Sequence, residues 1–206
     1  MDNKSYLDQI AVKGKNVSNN GPLLSPVMIK LLIAGVIMLI TIIIVAVMFN
    51  NTNAKLTQSY ERLYLRITQM YGNKGPYKKY SSFIISSDLT AYANQLETSL
   101  TNTANSLAPV WSNLNVDKAK ITKTVQDDET SKFNAYMTRL EEASVSGQMD
   151  AYYSSQTANQ IIQLKTLEEQ ILKKTKNKSL PSILEQSISE LSSLYEKFRD
   201  FNNALE

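Results

Sequence analysis

The chain has 206 residues, 22 of them basic and 19 acidic, a formal charge of +3, and neither cysteine nor histidine. Lack of cysteine excludes disulfides, thiolate metal ligands and a cysteine nucleophile, and lack of histidine removes the usual neutral-pH base and the commonest metal ligand. Basic and acidic residues are interspersed, so there is no clustered basic face of the kind nucleic acid requires, and no nucleic-acid partner is expected.

Residues 1–26 hold one weak amphipathic turn, Tyr6 to Ala11, followed by segments rich in Gly, Pro, Ser and Asn. That composition cannot bury a core, and a disordered cytoplasmic tail is expected. Ser25 and Pro26 read as the cap and first turn of a helix over 27–49. Within it, Leu31–Phe49 is a nineteen-residue run without charge. As a helix it is roughly 28 Å long, close to the ~30 Å hydrocarbon core of a bilayer. It is longer than a signal-peptide apolar region and lacks a small-x-small site, so an uncleaved transmembrane anchor is expected. Lys30 marks its amino edge, whereas Asn50 to Asn53 leave the other edge uncharged. That contrast puts the amino end in the cytoplasm and the large domain outside it, in a single-pass cell-membrane protein.

From Asn50 onward helical spacing recurs and period-two alternation does not. Leu56, Tyr60, Leu63, Ile67 and Met70 follow a heptad, coiled-coil-like seam in a juxtamembrane segment, 50–76, that ends at Gly72 to Pro76. A bundle domain, 77–206, is expected to follow. Tyr77 to Ile85 reads as a short helix or an extended connector with Phe83, Ile84 and Ile85 buried. Ser87-Asp88 is expected to cap the next helix, which buries Leu89, Tyr92, Ala93, Leu96, Leu100, Ala104 and Leu107. Pro109 should kink or end it, with Trp111 and Leu114 on the same face beyond. Asp117 is expected to cap a helix from Lys118 to Ser146 with Ile121, Val125, Phe133, Met137 and Leu140 inward, interrupted by Asp128, Glu129 and Lys132. Gly147 ends it. Gln148 to Lys176 forms the next, with Tyr153, Thr157, Ile161, Leu164, Leu167 and Ile171 as its stripe. Ser179-Leu180-Pro181 opens the last, with a capping box at Ser182 and Glu185 and with Leu184, Ile188, Leu191, Leu194, Tyr195, Phe198 and Phe201 inward. The fold class is therefore all-α: one transmembrane helix followed by an antiparallel bundle of four to five helices, the first of which serves as a stalk or as a bundle member.

The order Leu140-Glu141-Glu142, Ser146-Gly147, Asp150, Tyr152-Tyr153, Gln156, Leu164, Leu167, Leu180-Pro181 and Leu184-Glu185-Gln186 is similar to ferritin-like four-helix domains of unknown role in bacterial envelope proteins. The resemblance covers about residues 140–198 and implies a four-helix domain. Ferritin-like metal enzymes add inward carboxylates and two Glu-x-x-His pairs. Without histidine the chain departs from that pattern.

Asp127-Asp128-Glu129 is the densest acidic cluster, but no calcium-loop pattern surrounds it, and a solvated face or a polar layer fixing helix register is the plainer reading. Glu141-Glu142 and Glu168-Glu169 read as exposed pairs in preference to metal ligands. Eleven tyrosines suit half-wet positions at the edge of a core or a partner- or glycan-contacting surface. The residues singled out as a candidate interaction surface are Tyr152, Tyr153, Trp111 and the small basic group Lys74, Lys78 and Lys79. There is no catalytic triad, phosphate loop or zinc spacing, and neither a catalytic residue nor a cofactor is expected. The expected role is non-enzymatic: contacts with a protein partner, a second copy or the envelope, beside the lipid bilayer. The alternatives are a ligand-sensing bundle coupled to the membrane helix and, last, a ferritin-like metal-binding oxidoreductase.

Overall fold

The computed structural model describes residues 54–114 and 116–204, which all belong to one unit. The tail 1–26, the uncharged run Leu31–Phe49 and the orientation drawn from its edges lie outside the described residues. No helix among the described residues is long and apolar enough to cross a membrane. Residues 54–70 are helical (α1). They are followed by α2 (Pro76–Tyr80), a 3-10 turn (Ser81–Phe83), α3 (Ser87–Asn113), α4 (Lys123–Ser146), α5 (Met149–Leu172) and α6 (Leu180–Asn203). Among the described residues there is no strand.

The pattern of large apolar side chains sets the packing. On α5 the stripe Tyr153, Thr157, Ile161, Leu164, Leu167 and Ile171 is buried throughout, and α6 matches it with Leu184, Leu191, Leu194 and Phe198. α6 packs against both α5 and α3, and α5 packs also against α4. Ser99 on α3 donates to Glu190 on α6 at 2.6 Å, which fixes the register of that antiparallel pair. Tyr136 on α4 and Thr157 on α5 share a hydrogen bond of 3.1 Å inside the core.

α1 belongs to the bundle. Tyr60, Leu63, Ile67 and Met70 enter the same core cluster as α3, α5 and α6, so the boundary expected at residue 76 does not divide the packing. The tyrosine hydroxyl of Tyr60 meets Thr175, beyond the end of α5, at 2.9 Å, and Tyr64 stands edge-on to Trp111 near the end of α3. Thr122, just before α4, donates to Glu61 at 3.1 Å. The chain therefore enters the bundle at the end where α3 and α5 finish and α4 and α6 start.

Several local expectations shift. α3 runs through Pro109 to Asn113 without ending there. Pro109 is exposed, so the carbonyl of Asn105 that loses its amide partner faces water. Its cap is Ser86, whose hydroxyl accepts from the amide of Leu89 at 3.3 Å, one residue before the expected position. Asp117 does not start α4. Its carboxylate accepts from the amides of Ala119 at 2.8 Å and Lys120 at 3.1 Å, closing a local turn that competes with helix and delays α4 to Lys123. The Ser182–Glu185 capping box does not define the start of α6, which begins at Leu180 with Ser179 as cap and Pro181 in the first turn. Gly147 ends α4 as expected, at φ 72°, a conformation costly for residues with a Cβ, and the amide of Gln148 returns to the carbonyl of Ala143.

Candidate functional site

The connector between α2 and α3 is extended at Ile84 and Ser86. Side chains alternate along an extended backbone, so Ile84 goes in while Ile85 goes out; Phe83 precedes it in the 3-10 turn. Phe83 and Ile85 are 47% and 89% exposed, which corrects the expectation that all three are buried. Asp150, in the first turn of α5, holds this connector: its carboxylate accepts from the amides of Ile85 at 2.9 Å and Ser86 at 2.8 Å. Val145, in the last turn of α4, is 87% exposed. Phe83, Ile85 and Val145 are the exposed large hydrophobics among the described residues, and they gather at one end of the bundle. That end is opposite the one at which residue 54 enters. A cleft of about 890 Å³ opens there, lined among others by Phe83, Ile85, Met149, Asp150 and Tyr152.

Substituting Asp150 with alanine leaves two amides of the connector without their charged acceptor. Each such bond contributes about 1–3 kcal/mol. The expected result is faster hydrogen exchange at the Ile85 and Ser86 amides, with a lowered unfolding midpoint.

Of the six residues singled out from the sequence, only Tyr152 lines this cleft. Tyr153 and Trp111 are core side chains, 2% and 6% exposed, and are not part of a surface. Both carry a large apolar body, and α5 and α3 turn that body inward. Burial pushes the Tyr153 hydroxyl well above the ordinary tyrosine range. Lys78 and Lys79 sit on α2, where Lys78 pairs with Glu97 at 3.7 Å and Lys79 with Glu141 at 3.4 Å. Each also approaches an aromatic face, Tyr77 and Tyr80 respectively. Lys74 is exposed in the preceding loop. The basic group is therefore two tethered lysines and one open one.

The acidic cluster does not act as one unit. Asp127 pairs along its own helix with Lys123 at 2.8 Å. Asp128 meets Arg62 of α1 and Lys132, and those two cations pull its carboxyl down to about 2. Glu129 is buried, with Arg62 at 2.6 Å and Arg66 at 2.7 Å. Burial alone raises its carboxyl, but the Arg66 and Arg62 guanidiniums outweigh that and hold it below the usual range. This is a polar layer tying α1 to α4.

Glu141 and Glu142 are exposed, whereas Glu168 is buried on α5, where it accepts from the hydroxyl of Ser187 on α6 at 2.8 Å. The two glutamate pairs thus do not face one another. Among the described residues no group of three or more acidic side chains is placed to hold a metal ion. With no histidine in the chain, the donor set does not fit a ferritin-like metal centre.

A second concavity, of about 540 Å³, runs between α3 and α6 and is lined almost wholly by polar side chains, Asn94, Thr98, Ser189 and Ser193 among them. Nothing in the local sequence marks it, because a polar outer face is what any bundle helix presents. Comparison with known proteins adds no relative: no family model, no curated protein and no solved structure matches the chain.

Proposed function

We propose that the chain is a single-pass membrane protein that presents its helical bundle outside the cytoplasm and acts by contact with a protein partner, without catalysis. The anchor rests on the uncharged run Leu31–Phe49 and the orientation on Lys30 at its amino edge. The observation that carries the contact role is that Phe83 and Ile85 line one cleft at the end of the bundle away from residue 54, where Val145 in the last turn of α4 is exposed as well. Apolar exposure concentrated at one place on an otherwise polar surface marks an interaction site. Only residues 50–53 separate the run from α1 in the sequence, so a bilayer-seated run would tether the bundle through α1. A ligand-binding role finds its support in the polar groove between α3 and α6.

Proteinase treatment of intact cells should cleave the bundle and spare the amino-terminal tail. A photo-crosslinking residue at position 85 or 145 should capture a partner protein, and one at position 94 should not. With the crosslinking residue moved to position 152, which also lines the cleft, the double substitution Ile85→Glu, Val145→Glu should abolish capture while Trp111 fluorescence stays native. A protected bundle sinks the topology, and equal capture from all three positions sinks the contact surface.

A further inference from the structure

Charge is not shared evenly between the two ends of the bundle. At the end where residue 54 enters, residues 54–57, 110–126 and 169–183 carry eight lysines against Asp117 and Glu169. At the other end, residues 67–90, 143–152 and 200–203 carry three lysines against three aspartates. Lys55 opens α1, three of the eight lie between residues 118 and 123, and four lie between 173 and 178. All eight are exposed. Tyr60 on Thr175 and Thr122 on Glu61 hold both connectors beside the start of α1. Lys120 pairs with Asp117 at 3.2 Å, and Lys123 pairs with Asp127, in the next turn of α4. Glu169 is answered along its own helix by Lys165 at 3.9 Å. A surplus of positive charge remains. The three segments are far apart in the chain, where their charges read as interspersed, and only the fold gathers them into a basic face.

The residue types select among anionic partners. A protein interface is built round aromatic and arginine anchors and is poor in lysine. Among the residues of this end there is no arginine, and the one aromatic side chain, Trp111, is buried. Single-stranded nucleic acid stacks its bases on exposed aromatic faces, which these residues do not offer. Lysines are flexible point charges, suited to a surface that presents charge without a fixed shape. Covalent reach agrees. The chain from Phe49 to Ala54 spans at most about 18 Å even when fully extended. A bilayer-seated run therefore brings headgroups near the end that carries residue 54, and a Debye length of about 8 Å lets the lysines sense them. We infer that the lysine-rich end of the bundle lies against anionic lipid headgroups of the bilayer that holds the run. This rests on the proposed anchor and adds to it a contact that orients the bundle.

The test places the full chain in lipid nanodiscs, with one spin label on the protein and a nickel chelate on a trace of the headgroups. Because the chain has no cysteine, Ala119→Cys labels the first connector alone and Val145→Cys labels the far end. The label at 119 should be strongly relaxed in discs holding about one-third phosphatidylglycerol, and several-fold less in phosphatidylcholine alone or at high salt. The label at 145 should stay unrelaxed in both lipids. Changing Lys118, Lys173, Lys174 and Lys178 together to glutamine should lower the signal in anionic discs to the neutral level, with Trp111 fluorescence native. Changing the same four to arginine should leave it high. Equal relaxation in the two lipids overturns the inference, as does a glutamine variant that behaves like the parent. A label at 119 that responds to duplex DNA or to an acidic peptide, and not to anionic lipid, overturns it too. A chain that stays outside the discs sinks the anchor and the inference with it, whereas a seated chain with an indifferent label sinks the inference alone.

Discussion

Replacing Glu168 with glutamine should leave stability near pH 4.5 almost unchanged and raise it progressively at higher pH, by about 5 kcal/mol beyond pH 8. Glu168 is fully buried; one oxygen accepts from Ser187 and the other has no partner. Burial is the dominant influence and pushes its carboxyl up to about 8 from an ordinary 4.5, with the Ser187 hydroxyl opposing in part. In the interval between those values the folded state keeps a proton that the unfolded state has lost. The stabilisation from the neutral carboxyl is therefore complete below pH 4.5 and is lost as pH rises through 8. Each pH unit in that interval reduces the folding constant about tenfold, and 8 − 4.5 = 3.5 units gives the total. Glutamine is neutral throughout and escapes the loss. Urea unfolding between pH 5 and pH 9, read by the lone and buried Trp111, measures it directly. Wild-type and variant midpoints that run parallel across this range would refute the account.

Glu168 also shows where sequence reading stops. Its neighbours on α5 were all legible: Tyr153, Thr157, Ile161, Leu164, Leu167 and Ile171 follow one face and are buried. Glu168 lies beside Leu167, at the edge of that stripe, and a glutamate there reads as solvated. Only α6, arriving with Ser187, closes over it. Glu168 and Ser187 thus form a buried polar pair drawn from two helices. No single helix reveals such a pair. α4 fails in the same way. Its expected stripe included Phe133 and Met137, which are half-buried, while Glu129 and Tyr136 are buried in their place. The helix is rotated because α1 supplies arginines that make a carboxylate acceptable inside, and nothing within α4 announces them.

The candidate surface was legible only in part, for a related reason. Tyrosine and tryptophan combine apolar area with a polar handle, so composition cannot decide between core and rim. Tyr152 reaches the cleft and its neighbour Tyr153 does not, since adjacent helix positions point about 100° apart. Phe83 and Ile85 are exposed because the 3-10 turn ends at Phe83 and the backbone is extended from Ile84, so three consecutive apolar residues across that change cannot all face inward.

Glu129→Ala should be the most damaging single change in the polar layer, at about 3–5 kcal/mol. Arg66 would lose both of its bonds, Nε at 2.7 Å and Nη2 at 3.1 Å, with its side chain 17% exposed. Arg62 would keep Asp128 and is better solvated, which places the cost toward the lower end of that range. The loss comes chiefly from stranding a half-buried guanidinium, so removing the whole cluster should cost less than removing its acid. The triple substitution Arg62→Met, Arg66→Met, Glu129→Leu should recover most of the lost stability, because a well-packed apolar replacement avoids the desolvation that the ion pairs must offset. The same layer sets the acid limit. Asp128 and Glu129 both have lowered folded-state values, so their contribution is present above the ordinary carboxylate range and is lost as pH falls, for Asp128 between 3.8 and about 2. Acid unfolding of the triple variant should therefore be shallower than that of the wild type between pH 4 and pH 2. If the triple variant is as unstable as Glu129→Ala at neutral pH, the arginines hold α1 to α4 by packing of their stems, and charge pairing is not what joins the two helices.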